Sequence, residues 1–210
     1  MQDRYRAHLV NSLSGFKSAN LISTINNQGQ TNLAMISSVI HLGASPALVA
    51  FITRPHSVSR HTLENIKQTK QYTINQVSED FYMAAHQTSA KYLRDESEFK
   101  ATGLSEFYLD GHLAPFVKQS SLKYSLTLQE IVPIALNGTQ MVIGEITDII
   151  CDKDAIKSDG YIDIESLNTV AISGLDNYHT STRLSRLTYA KTDHSPQHMD
   201  INGKAISSLS

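Results

Sequence analysis

Between residues 53 and 66 the chain reads "TRPHSVSRHTLENI". Arg54 and Arg60, His56 and His61, and the hydroxyls of Thr53, Ser57, Ser59 and Thr62 crowd the approach to an amphipathic run, "HTLENIKQT". A helix N-terminus presents N–H groups without intrahelical partners and a positive partial charge, so it suits an anion. Guanidinium and hydroxyl groups around it add charge-assisted and neutral hydrogen bonds, the set that holds a phosphate. Two arginines there oppose the helix dipole unless an anion offsets them. The competing reading is that Ser59 or His61 caps the helix and the arginines are solvated. On these residues alone both readings stand.

Other chemistries lack their residues. The chain has no G-x-G-x-x-G, no P-loop, no G-x-S-x-G elbow and no H-E-x-x-H. His194 and His198 lie in a polar tail and read as solvated. Cys151 is the single cysteine, which excludes an internal disulfide and a thiolate cluster, and no metal site is expected. A net charge of −2 makes no case for nucleic acid or an anionic membrane. No apolar run approaches the ~20 residues of a membrane span. The start, "MQDRYRAHLV", lacks the apolar stretch of a signal peptide, so a cytoplasmic protein is expected.

The elements that would position the anion site are mostly strands. "NLISTIN" and "TNLAMISS" flank the polar turn "NQGQ" as a hairpin. "PALVAFIT" is a continuous apolar strand, expected to be buried on both faces, that delivers Thr53 and Arg54 to the site. Leu63, Ile66 and, less strictly, Thr62 share a face of a helix over 61–69. "QYTINQV" returns as a strand, and helices are expected over 80–93 and over "SEFKATGL", ending at Gly103. "LKYSLTLQEIVPIAL" and "TQMVIGEITDII" form the clearest strands, joined by a two-residue Asn137-Gly138 turn. With 210 residues, 40% hydrophobic and 18% charged, the chain reads as one domain, 1–190. A weakly ordered tail, 191–210, follows. Hairpins with inserted helices predict a mainly β fold with helical additions, an antiparallel barrel rather than a doubly wound parallel sheet.

Taken in order, these segments resemble the flavin reductase-like family of FMN-binding split-barrel proteins. Asn32, Ala34 and Ser37 match an N-x-A-x-x-S strand motif, with Ser38 beside it. "GASPALV" matches the turn and strand that follow, "RHTLENI" the phosphate segment, and "YTINQV" the next strand. "SEFKATGL", the long hairpin and "AISGLDNYHTSTRL" continue the series, so the resemblance covers roughly residues 18 to 186. The chain departs from the family pattern at His61, at Ala47, and at Ala171-Ile172, which replace an arginine-containing segment near where ring and substrate are expected.

The resemblance implies an antiparallel split β-barrel that binds FMN, as a homodimer with the flavin at the subunit interface. It implies a phosphate held by Thr53, Arg54, Ser57, Ser59, Arg60, His61 and Thr62. The flavin ring would lie against Asn32, Leu33, Ala34, Met35, Ser37 and Ser38, where small side chains let backbone N–H and C=O groups reach it. Tyr178 is a candidate cover for the ring, and His41 a candidate near its reactive face. The implied activity is NAD(P)H-dependent reduction of FMN, with NADH or NADPH as reductant and a partner oxygenase receiving the reduced flavin. The alternatives are a flavoredoxin-type carrier that retains FMN and serves a redox protein, and a flavin-binding module without turnover.

Overall fold

The computed structural model describes residues 2–55 and 61–206. Helix α1 (Asp3–Ser12) is followed by β1 (Lys17–Ser18), β2 (Asn20–Ile25), β3 (Thr31–Ile36), β4 (Ile40–Ala44) and β5 (Ala47–Thr53). Next come α2 (His61–Thr69), β6 (Gln71–Gln76), α3 (Tyr82–Gln87), α4 (Glu98–Thr102), β7 (Glu106–Phe107) and β8 (Phe116–Val117). The long hairpin is β9 (Leu122–Ile134) and β10 (Thr139–Cys151). The C-terminal part holds β11 (Ala171–Ser173), β12 (Asn177–His179), β13 (Arg186–Leu187) and β14 (His198–Met199). The chain is mainly β with some helices, and every ladder between these strands is antiparallel.

Seven strands form the main sheet in the order β3-β2-β6-β9-β10-β5-β4. Its two edge strands are consecutive in sequence. Ile36 and Ile40 are four residues apart, a span of at most about 14 Å. A flat sheet of seven strands would hold its edges about 29 Å apart. The sheet therefore curls until β4 lies near β3. Ser38 spans the gap: its hydroxyl donates to the Ile52 carbonyl and accepts the Ile52 N–H, both at 3.1 Å.

Strand alternation divides the core. Ile22, Ile74, Tyr72, Leu126, Val142, Phe51 and Val49 line the inner face with Leu63 and Ile66 of α2. Leu21, Leu33 and Val77 face the other way, onto Phe81 and Ala85 beside and within α3, Phe99 of α4, and Ile172 of β11. One residue along a strand moves a side chain to the opposite layer.

The helix over 61–69 and the short one ending at Gly103 match expectation; Gly103 takes the left-handed conformation, φ 74°. The helix expected over 80–93 is shorter, Tyr82–Gln87. Thr88 ends it by donating its hydroxyl to the Ala85 carbonyl at 2.8 Å, a local bond that competes with helix continuation. The Asn137-Gly138 connection closes through four residues rather than two. Ile134 pairs with Thr139, the Asn137 carboxamide accepts the Thr139 N–H at 3.1 Å, and Gly138 is left-handed. Helix α1 was not expected and buries none of its residues. The segment 191–206 carries β14, which pairs with β13. No helix among the described residues is long and apolar enough to cross a membrane.

Candidate functional site

Strand β3 is the polar edge of the sheet. Asn32 is buried on its inner side and donates from Nδ2 to the Thr62 hydroxyl at 2.9 Å. That bond fixes the first turn of α2 against the strand. Asn65, one turn on, donates to Thr24 of β2 at 3.1 Å, and its buried Oδ1 has no partner among the described residues. His61, Asn32, Asn65, Arg94 and Glu98 surround one small polar pocket at this junction.

Glu98 is the residue that sequence reasoning missed. It is 7% exposed, and its Oε2 accepts the Leu33 N–H at 3.0 Å. Burial pushes its carboxyl above the usual carboxylate range, partly offset by the N–H it accepts. Its only signal in the sequence was its place in "SEFKATGL", which reads as a short helix ending at Gly103. Arg94, equally unforeseen, bonds Glu64 of α2 at 2.6 Å, bringing a cation to the same junction from the loop after α3.

The Leu33 bond settles the direction of the strand's backbone groups. In an antiparallel pair the N–H and C=O of alternate residues point at the partner and away from it. Leu33 N–H points away from β2, so the N–H and C=O of Met35, two residues on and opposite Leu21, point out along the same open edge. Ala34 and Ser37, half-buried and small, leave that edge approachable. Ser38 has both hydrogen-bonding roles of its hydroxyl engaged by β5, so it shapes the edge.

Thr53 ends β5, buried, with its hydroxyl 3.4 Å from the Gln140 carbonyl. Arg54 follows it in solvent. Thr62 and His61 open α2 as expected. Ser57, Ser59 and Arg60 lie outside the described residues. Tyr178 packs on the same core layer as Met35 and Ala84. Its hydroxyl is 2.9 Å from His86 Nδ1, and its ring is tilted against Tyr82 at 5.2 Å. Burial, then the Asp176 charge, pushes its hydroxyl up to about 12. His41 stands exposed on β4, the opposite edge strand, beside a register irregularity. The described residues hold no group of three or more His, Cys, Asp or Glu side chains suited to a metal ion.

The family model of the flavin reductase like domain matches residues 13–166. The chain belongs to the flavin reductase-like family. Among solved structures it is 58% identical to a candidate flavin reductase with a split barrel domain from Shewanella frigidimarina, with a TM-score of 0.88 over 90% of this chain and 94% of that one. It shares its fold with nitrilotriacetate monooxygenase component B from Bacillus cereus, 17% identical, TM-score 0.81, covering 89% of this chain and 95% of that one. Flavoredoxin of Desulfovibrio vulgaris is 21% identical, TM-score 0.70, covering 85% and 91%. The family resemblance read from "NLAMISS" and "RHTLENI" thus holds, and the flavin reductase-like fold accounts for the curled sheet around the inner core.

Proposed function

We propose that this chain binds FMN along the open edge of β3 and catalyses its reduction by NADH or NADPH. The observation that carries this reading is the outward-facing N–H and C=O of Met35 on an edge strand whose neighbouring donor, Leu33, is already occupied by Glu98. A donor and an acceptor side by side on backbone suit the alternating polar edge of a flavin ring. Thr62, held by Asn32, then lies three residues back along the strand, about 10 Å away, a span that a ribityl phosphate covers. Arg54, Thr53, His61 and Thr62, with Ser57, Ser59 and Arg60, would hold the phosphate at the start of α2.

Bound there, FMN supplies the hydride-accepting ring. The protein's part is to orient that ring by the Met35 backbone, to keep bulk away at Ala34 and Ser37, and to offset the phosphate charge. Tyr178, at the margin of Met35, is the proposed cover for the ring. The curled sheet is proposed to close as a split barrel and to pair as a homodimer with both chains at the flavin. A partner oxygenase would take the reduced flavin; the fold shared with a monooxygenase component is in keeping with this.

Anaerobic bleaching tests the reading. The flavin-loaded protein should lose its yellow colour on adding NADH or NADPH, with turnover of free FMN. A protein that retains FMN and resists both nucleotides would be a carrier of the flavoredoxin kind. A protein that binds no FMN would overturn the proposal. Light scattering should give the mass of a dimer, and a flavin-loaded monomer would overturn the interface assignment.

A further inference from the structure

The small polar cavity where β3, α2 and α4 meet has a volume of about 10 Å³, room for one particle the size of a water molecule. Three side-chain oxygen atoms are left to it. Asn65 is 2% exposed; its Nδ2 is turned to Thr24, and its Oδ1 has no partner among the described residues. Asn32 likewise spends its Nδ2 on Thr62, which leaves its Oδ1 as an acceptor. Glu98 accepts the Leu33 N–H at Oε2 alone, so Oε1 is open, and it has no cationic partner among the described residues. Arg94 and His61 also line the cavity, but Arg94 is matched by Glu64, 2.6 Å away. Glu96, the other acid on its wall, accepts the Leu93 N–H from the exposed side.

We infer that this cavity binds one monovalent cation of about water's size, potassium or ammonium, held by Asn65 Oδ1, Asn32 Oδ1 and the Glu98 carboxylate. A water molecule would fit the space but carries no charge to offset a buried carboxylate. Amide and carboxylate oxygens are hard donors, and amide carbonyls replace the hydration shell of potassium. Magnesium keeps several of its waters, for which the cavity has no volume. One carboxylate balances one positive charge. The donor set, two amides and one acid, differs from the His, Cys, Asp and Glu clusters that hold transition metals, none of which occurs among the described residues. The inference stands independently of the flavin reading.

Thermal melts without added flavin, in potassium, ammonium, sodium and choline chloride at equal ionic strength, test this with charge screening held constant. Potassium and ammonium should raise the midpoint over choline in a saturable way, by about 3–5 °C at tenfold above Kd. Sodium, smaller and more tightly hydrated, should do less. Glu98→Gln keeps an oxygen but removes the charge, and should raise the half-saturating potassium concentration about tenfold or more. Asn65→Ala should abolish the potassium response; if that variant does not fold, Glu98→Gln decides. Nitrogen-15 ammonium should give a bound proton signal in NMR that potassium displaces and Glu98→Gln loses. Equal midpoints in all four salts would mean that the cavity holds water only and would overturn the inference. A potassium response that survives unchanged in Glu98→Gln and Asn65→Ala would put the ion elsewhere and overturn it too.

Discussion

Tyr72 stands near the centre of the main sheet and Asn32 at its edge, and the two regions are held together by different means. Tyr72 is fully buried among Phe51, Ile74, Leu126 and Val142, and its hydroxyl has no partner among the described residues. Desolvation drives the ionisation of that hydroxyl well above the usual tyrosine range. Its ring crosses over β9 and stands edge-on to Phe51 at 5.8 Å. Around Asn32, by contrast, each bond joins two elements: Asn32 to Thr62, Asn65 to Thr24, and Glu98 to Leu33. The centre accepts the unpaired Tyr72 hydroxyl because a large aromatic body repays it through packing. The edge spends its polar groups on tying α2 and α4 to the strands. The centre is therefore held by packing and the edge by hydrogen bonds between elements.

The largest effect should come from breaking the centre. A methyl group at Gly144 would lie 2.1 Å from the Tyr72 hydroxyl, 2.9 Å from Cζ and 3.1 Å from a Leu126 methyl. No flexible end can yield in that fully buried setting, so Gly144→Ala should cost about 3 kcal/mol in chemical denaturation. Unchanged stability would show that the centre is looser than described. Tyr72→Phe in the same background should recover part of the loss, because it removes the nearest atom.

At the edge, Arg54→Ala should leave stability near wild type yet weaken FMN by about ten- to a hundredfold, through loss of a charge-assisted contact. Riboflavin affinity should barely move. Equal losses for FMN and riboflavin would detach Arg54 from the phosphate.

Glu98 belongs to the edge, where it accepts the Leu33 N–H. Glu98→Ala leaves the Leu33 N–H buried and unpaired and should cost about 2 kcal/mol. Glu98→Gln keeps an acceptor there and should cost less. The raised carboxyl pKa also sets a sign. A folded value above the unfolded one contributes stability that is complete below the ordinary carboxylate pKa and is lost as pH rises through the raised value. The stability of wild type relative to Glu98→Gln should therefore fall as pH rises from the ordinary carboxylate range, about 4.3, towards neutrality. A difference that is flat with pH in thermal melts would contradict the burial of this charge. The smallest effect belongs to Tyr72→Phe alone, neutral or stabilising by about 1 kcal/mol, since it deletes an unpaired buried hydroxyl.

Periodicity was enough to read the hairpin of β2 and β3, the helix over 61–69 and the long β9/β10 pair, because each buries a continuous face whose spacing is written in consecutive residues. The family resemblance of "NLAMISS" and "RHTLENI" put Asn32 and Thr62 in one expected site, and the structure joins those two by a hydrogen bond. Residues whose role depends on distant partners were not legible. Glu98 lies 65 positions from the N–H it accepts, and Arg94 lies 30 positions from Glu64. Neither stands in a pattern that local spacing could pick out. The end of α3 at Thr88 and the four-residue Asn137-Gly138 loop turned on single side-chain bonds to backbone, which compete with the regular ladder at energies that propensity does not resolve. The sequence by itself determined which strands and helices form and which of their faces are apolar, because those follow from side chains a few residues apart. Only the tertiary structure decided which backbone groups of the strand edge are taken, because the curl of the sheet brings β3 and β4 together and Glu98, from a distant helix, takes the outward N–H of Leu33.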